Sequence, residues 1–240
     1  MARAECECVE LWGVLTYSSN SRDSGAAKKN KPAAQQNIGI QPLRETRKMK
    51  NPLDSVPLTI ALGVVFAIIV MVIIPGAGYN DPGLSRWLHV VTGVFWIGLL
   101  YYFNVAQIPA LAAATADKGG PGGAGISKYV APRALLWFRW AAVATWITGA
   151  WLLGTRFMPA FTFQEGSQVI GIGVWLGTIM LFNVWVLIWP NQKKVLGLVS
   201  ATDEEKAKAR RTATLASRTN FLLSFPMLLC MAGQSHGLPF

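Results

Sequence analysis

The sequence predicts an all-α integral membrane protein, an antiparallel bundle of about five transmembrane helices. Hydrophobic residues make up 52% of the 240 residues, and charged residues only 14%. Ten tryptophans add to an apolar content higher than the core of a soluble domain of this size requires. The apolar residues are grouped in long stretches, and beyond residue 50 most Lys and Arg residues fall in alternate loops between these stretches. Both patterns are typical of a multi-span membrane protein.

Five apolar stretches are long enough, or nearly so, for the ~20 helical residues that cross a hydrocarbon core. The last is the weakest because it contains Pro226, which we expect to kink the helix; neighbouring helices can compensate for such a kink. The predicted spans are residues 57–74, 84–108, 135–154, 169–189 and 219–235.

Residues 1–48 are predicted to lie outside the bundle. They are polar, show neither a helical nor a strand period, and lack the pattern of a signal peptide. Two interpretations fit: a disordered tail, or a mistaken start ahead of a true initiator at Met49. Either leaves residues 49–240 as the transmembrane domain.

The distribution of positive charge predicts the orientation. The loops at 109–134 and 190–218 are rich in Lys and Arg, whereas the opposite side offers only Arg86 and Arg156. Basic loops stay in the cytoplasm, so we expect a cytoplasmic N-terminus and an external C-terminus. Topology also accounts for the net charge of +10, and no nucleic-acid motif or partner is indicated.

Residues 203–211 are predicted to form a short cytoplasmic helix. The segment begins with acidic residues and ends with basic residues, which is the order that the helix dipole favours.

The two histidines, His89 and His236, are predicted to lie at the outer ends of two spans. An imidazole near lipid needs a partner, and neutral imidazoles are common axial ligands of haem iron. We therefore predict a b-type haem with both histidines as metal ligands, and Gly93, on the same helical face as His89, as part of the cofactor site. In the alternative interpretation, the histidines are interfacial residues and the glycines only pack helices.

The remaining polar residues are less specific. Cys6, Cys8 and Cys230 form neither a disulfide framework nor the Cys-x-x-Cys-His motif of covalent haem attachment. A second polar layer is expected near the cytoplasmic side, where amide and guanidinium groups either bind a ligand or, as we favour, tie helices together. Its members are Asn104, Gln107, Arg139, Asn183, Arg218 and Asn220.

Three segments resemble the membrane domain of bacterial urate hydroxylases of the PuuD type, the urate oxidase N-terminal domain. They are residues 86–98 (RWLHVVTGVFWIG), residues 189–193 (WPNQK), and the pair Arg218 and Asn220 followed by Ser235-His236. The similarity runs from about Ser85 to the C-terminus. The second segment is fairly specific, whereas other haem-binding membrane families share the first pattern.

The resemblance implies a redox enzyme of the bacterial inner membrane, with its C-terminus in the periplasm. Such an enzyme oxidises urate to 5-hydroxyisourate and passes electrons to a c-type cytochrome. Active family members carry a fused cytochrome c domain and more spans, and this sequence resembles a short form without that domain. A separate cytochrome c or a second membrane subunit is then needed. Arg86, the cation nearest to His89 in sequence, is the predicted contact for the urate anion.

Two other functions fit the same sequence. One is a b-type haem electron-transfer subunit without substrate chemistry; the other is a non-catalytic assembly subunit of a membrane complex. A transporter is disfavoured because the spans show no inverted repeat. The sequence leaves the electron acceptor and the oligomeric state open.

Overall fold

The computed structural model describes residues 51–74 and 80–238, and within these ranges the chain is helical with no strand. The chain divides into two compact units, Met1–Tyr79 and Asn80–Phe240. The predicted tail at 1–48 lies outside the described residues. The all-α class predicted from the sequence is confirmed.

Helix α1, Val56–Ile73, belongs to the first unit. It consists almost entirely of apolar residues, and none of its side chains is buried. A short 3₁₀ turn, Pro52–Asp54, precedes it. A helix that is apolar on every side matches the environment of a lipid bilayer.

The second unit contains four long helices and one short helix. The long helices are α2 (Asp81–Ala116), α3 (Ala131–Leu153), α4 (Gln168–Val195) and α5 (Asp203–His236), and a short helix, Phe157–Phe161, lies between α3 and α4. Successive helices run antiparallel; α2 packs along α3, and α4 packs along α5. We call the end with the starts of α2 and α4 the outer end, after the predicted orientation.

By length and composition, α1, α2, α4 and α5 can each cross a membrane. Helix α3 has 23 residues but is less apolar, because it carries Arg139 and four tryptophans. One face of α3 is nevertheless buried in the bundle, through Leu135, Phe138 and Ala142. The described chain therefore has five long helices, of which four meet the requirements of a membrane span.

Helix α5 differs from the sequence-based expectation. A short helix at 203–211 and a separate span at 219–235 are predicted, but the structure has one continuous helix of 34 residues. No Gly or Pro interrupts residues 212–218, and the helix also continues through Pro226. A capping box begins it: Thr202 Oγ1 accepts from the Glu205 N–H at 3.2 Å, and Glu205 Oε2 accepts from the Thr202 N–H at 2.9 Å.

The polar layer near the cytoplasmic end ties helices together. Asn104 of α2 donates to Ser217 Oγ of α5 at 3.0 Å. Asn183 of α4 donates to Asn220 Oδ1 of α5 at 2.8 Å, and Asn220 donates to the Met180 carbonyl at 2.9 Å. Both α2 and α4 widen into π-helix beside these amides, at Tyr102–Gln107 and Asn183–Ile188. These bonds match the helix-tying role favoured from the sequence.

The main hydrophobic core lies between this polar layer and the outer half of the bundle. Phe103 and Phe138 pack edge to face with ring centroids 5.4 Å apart, and Leu100 and Met180 are fully buried beside them. Trp96 and Met227 belong to the outer part of the same core and line the cavity described below. The side chains of this core fill the space between the helices, whereas the helices of the outer half enclose a cavity.

Candidate functional site

A cavity of about 730 Å³ occupies the outer half of the second unit. Helices α2, α3, α4 and α5 and the short helix all contribute to its wall. The volume falls within the ~300–1,000 Å³ typical of small-molecule and cofactor sites. Most of the wall is apolar, and the charged or ionisable groups in it are Arg86, His89 and Arg156, with Tyr101 deeper down.

His89 lies in the cavity wall, and its tautomer follows from one contact. Its Nδ1 is 2.9 Å from the Thr145 backbone carbonyl of α3. A carbonyl only accepts hydrogen bonds, so Nδ1 carries the proton and donates it. In the neutral imidazole the lone pair is then on Nε2, where it can accept a proton or bind a metal. An imidazole oriented through a backbone carbonyl is typical of a metal-ligating histidine.

A glycine of α3 makes room for this imidazole. A Cβ at Gly149 would lie 2.9 Å from His89 Cε1, closer than real Cβ contacts allow. Gly149 therefore lets α2 and α3 approach closely enough for the ring to reach the Thr145 carbonyl. The predicted Gly93 also lines the cavity, where a Cβ would make an ordinary 3.7 Å contact with Thr145 Cγ2.

Two arginines line the outer opening of the cavity. Arg86 is three residues before His89 on α2, and Arg156 lies between α3 and the short helix, after the positive-φ residue Gly154. Both side chains are exposed and so reachable from the aqueous side. No Asp or Glu lies among the described residues of the wall. The opening is therefore positively charged and suited to an anion.

His236 occupies a different position from His89. It is the last residue of α5 and is exposed, and the residue before it, Ser235, lines the cavity whereas His236 does not. The two histidines nevertheless lie at similar depth. Tyr101 Oη and Ser224 Oγ are 3.1 Å apart, so these two residues mark one level of the bundle. His89 precedes Tyr101 on α2 by as many residues (101 to 89) as His236 follows Ser224 on α5 (224 to 236). At 1.5 Å per residue, each histidine lies about 18 Å closer to the outer end than this level. Their pairing as ligands stays a prediction.

The described residues contain no group of three or more His, Cys, Asp or Glu side chains that could hold a metal ion. A haem needs fewer protein ligands because the macrocycle supplies the others. The free Nε2 of His89 and the cavity volume fit a haem with at least one protein ligand.

The structure adds site residues that sequence reasoning missed. In the sequence, Arg156 serves only as a topology signal, and Gly149 is not among the predicted site residues. Arg156 could have been suspected because it is the only cation of its predicted loop. Trp146, by contrast, is engaged within the wall, since its Nε1 donates to Thr178 Oγ1 at 3.0 Å.

Comparison with known proteins supports the family resemblance. The family model described as urate oxidase N-terminal matches residues 154–240, which is just over a third of the chain. The matched part includes Arg156, α4, α5 and His236, and excludes Arg86 and His89. No curated protein and no solved structure is similar enough to count as a match.

Proposed function

We propose that this chain, whose C-terminal part matches the urate oxidase N-terminal family, is a membrane redox protein that oxidises urate to 5-hydroxyisourate. The family match supports a urate oxidase-related function. The observation that carries the finer proposal is the cavity, which combines a cationic opening with an imidazole whose Nδ1 is bonded to a backbone carbonyl. We infer that urate binds there.

The chemistry of urate fits this cavity. Urate is a flat monoanion at neutral pH, with carbonyl oxygens around its rings. Arg86 and Arg156 at the opening supply the positive charge and the hydrogen-bond donors that such an anion requires. Gly93, Gly98 and Gly177 leave three positions of the wall without a side chain, which gives room for a planar molecule.

The reaction balances as urate plus water giving 5-hydroxyisourate, two electrons and two protons. His89 Nε2 is placed to accept one proton as water adds to the oxidised ring, while its Nδ1–H stays bonded to the Thr145 carbonyl. The two electrons pass from urate to an electron acceptor. The family resemblance points to a separate c-type cytochrome, which takes one electron at a time.

The test is urate-dependent reduction of ferricytochrome c by the detergent-purified protein. Arg86→Gln should raise the KM for urate about fivefold, the range expected for an exposed ionic contact. Arg133→Gln is the matched control, because Arg133 is also exposed but lies near the other end of α3, outside the cavity wall. If no acceptor, cytochrome c or dye, is reduced in a urate-dependent way, the proposal fails.

A second candidate function is a b-type haem electron-transfer subunit, and the fixed tautomer of His89 favours it. Here His89 Nε2 would bind the iron, Arg86 and Arg156 would pair with the propionates, and His236 is the proposed second ligand. When bound, the haem supplies one-electron transfer. The chain's own contribution is to orient the imidazole and to leave a flat space beside Gly93 and Gly98.

A dithionite-reduced minus oxidised visible spectrum, with a pyridine haemochrome assay, tests this candidate. A b-type signal that disappears in His89→Ala supports it, and loss of the low-spin form in His236→Ala assigns the second ligand. Folded protein, expressed with a sufficient haem supply, that shows no haem signal would contradict it.

A further inference from the structure

The cavity has a second edge, on the side of the bundle between α2 and α5. Val90 and Val94 of α2 and Leu228 of α5 line the cavity and are also 55%, 67% and 42% exposed. Side chains that belong to a cavity wall and are also exposed mark an opening. All three are apolar, in contrast to the arginines of the outer opening.

The depth of this side opening places it in the hydrocarbon region. Val94 lies 13 residues after Asp81, the first residue of α2, which is about 20 Å along the helix at 1.5 Å per residue. A helix of this length crosses a hydrocarbon core of about 30 Å. The exposed faces of Val90, Val94 and Leu228 therefore meet lipid, and the cavity communicates with the membrane interior as well as with the aqueous side.

The two openings suit two reactants of opposite character. The cationic opening at Arg86 and Arg156 admits a water-soluble anion, whereas the apolar opening admits a molecule dissolved in the bilayer. The proposed oxidation of urate releases two electrons and two protons and so requires an acceptor. A lipid-soluble acceptor that enters from the side would meet the imidazole of His89 in the same cavity.

We propose that a membrane quinone enters through the opening between α2 and α5 and takes the electrons of urate oxidation, as an acceptor besides the c-type cytochrome. This inference rests on the proposed function. The balance closes without a further reactant: urate, water and quinone give 5-hydroxyisourate and quinol. The two electrons reduce the quinone ring, and its two oxygens take the two protons, one by way of His89 Nε2.

The geometry also assigns the parts of the quinone. The polar ring lies toward His89 and the arginines, and the hydrocarbon tail leaves between Val94 and Leu228 into the bilayer. A phospholipid chain in the same opening would match the apolar edge but would accept no electrons. Reduction and binding of the quinone therefore distinguish the two occupants.

The test uses the full chain in phosphatidylcholine vesicles with decylubiquinone as the probe. Quinone binding is measured without urate, by quenching of tryptophan fluorescence, and turnover is measured as urate-dependent quinol formation. Val94→Trp fills the opening and should weaken quinone binding about tenfold, equivalent to 1.4 kcal/mol. Val105→Trp is the matched control, because Val105 is 66% exposed on the same helix but does not line the cavity.

A second pair of variants approaches the opening from α5. Leu228→Trp should reproduce the effect of Val94→Trp, and Leu222→Trp, at an exposed site outside the cavity wall, should not. If the unmodified protein oxidises urate with cytochrome c but neither binds nor reduces the quinone, the inference is wrong and the proposed function stands. Equal quinone binding in Val94→Trp and Val105→Trp also overturns it. If no acceptor, whether cytochrome c, a dye or the quinone, is reduced in a urate-dependent way, both proposals fall together.

Discussion

His89 shows how a single side chain obtains its chemistry from its neighbours. The proton on Nδ1 is fixed by a backbone carbonyl, which any residue at position 145 would supply. What the sequence must provide is the close approach of α3, and Gly149 provides it. The reactivity of His89 therefore depends on a glycine 60 positions away in the sequence.

Gly149→Ala tests this dependence. The added methyl group would meet the imidazole at 2.9 Å, so the ring must move away from the Thr145 carbonyl. We expect urate oxidation, or a haem spectrum if haem is bound, to fall at least tenfold, because small displacements of a reacting group cost rate steeply.

The control is Gly63→Ala in α1, where a Cβ meets nothing within 4 Å and the residue does not line the cavity. Both variants should unfold at nearly the temperature of the parent protein. Unchanged activity in Gly149→Ala would show that the position of the imidazole is not critical.

Sequence reasoning located some of these residues and could not locate others. Arg86, His89 and Gly93 lie on one helix, and helical periodicity alone predicts that they belong to one site. Arg156 and Gly149 join that site through the packing of α3 and the turn at Gly154, which no local pattern reveals. His236 is the last residue of α5, and the sequence did not show that its side chain lies outside the cavity wall.

At the scale of the helix, α5 is joined to two neighbours by buried amides. Asn220 is fully buried and connects α5 to α4 through Asn183 and the Met180 carbonyl. Asn104 connects α2 to α5 through Ser217. The continuity of α5 was missed from the sequence because the polar residues 203–218 were separated from the apolar span, although no helix-breaking residue lies between them.

Asn220→Leu should destabilise the protein. The substitution leaves the Asn183 amide and the Met180 carbonyl without their partner, and an unpaired buried polar group costs about 1–3 kcal/mol. A thermal unfolding experiment in detergent should show a lower midpoint. Asn191→Leu is the control, because Asn191 is bonded only to the Leu187 carbonyl of its own helix. Equal midpoints for the two variants would argue against a helix-tying role.

At the scale of the whole molecule, the helical membrane class followed from composition, since only lipid makes so many exposed apolar side chains favourable. The large hydrophobic side chains exposed on α1, α2, α4 and α5 are mostly Val, Ile, Leu and Phe. The number of spans was harder to predict, because α3 carries Arg139 and several tryptophans. Arg139 is accommodated by stacking on Trp189 of α4, 3.7 Å from the ring centroid.

The predicted orientation can be tested with single cysteines in a background where Cys6, Cys8 and Cys230 are replaced by serine. A membrane-impermeant thiol reagent added to intact cells should label Ser235→Cys at the outer end but not Val199→Cys, in the basic loop between α4 and α5. Permeabilised cells should show both labelled. The reverse pattern would invert the topology and place the arginine-lined opening in the cytoplasm.

The cavity also links ligand chemistry to heat resistance. A molecule that binds the folded chain and not the unfolded one stabilises it by mass action, by about 2.7 kcal/mol at a concentration one hundred times its Kd. The melting temperature in detergent therefore acts as an equilibrium titration of the cavity. A thermal-shift screen of purines, quinones and porphyrins would rank the ligands of the cavity without an enzymatic assay. Two ligands that together raise the melting temperature by the sum of their separate effects would show that both openings are used at once.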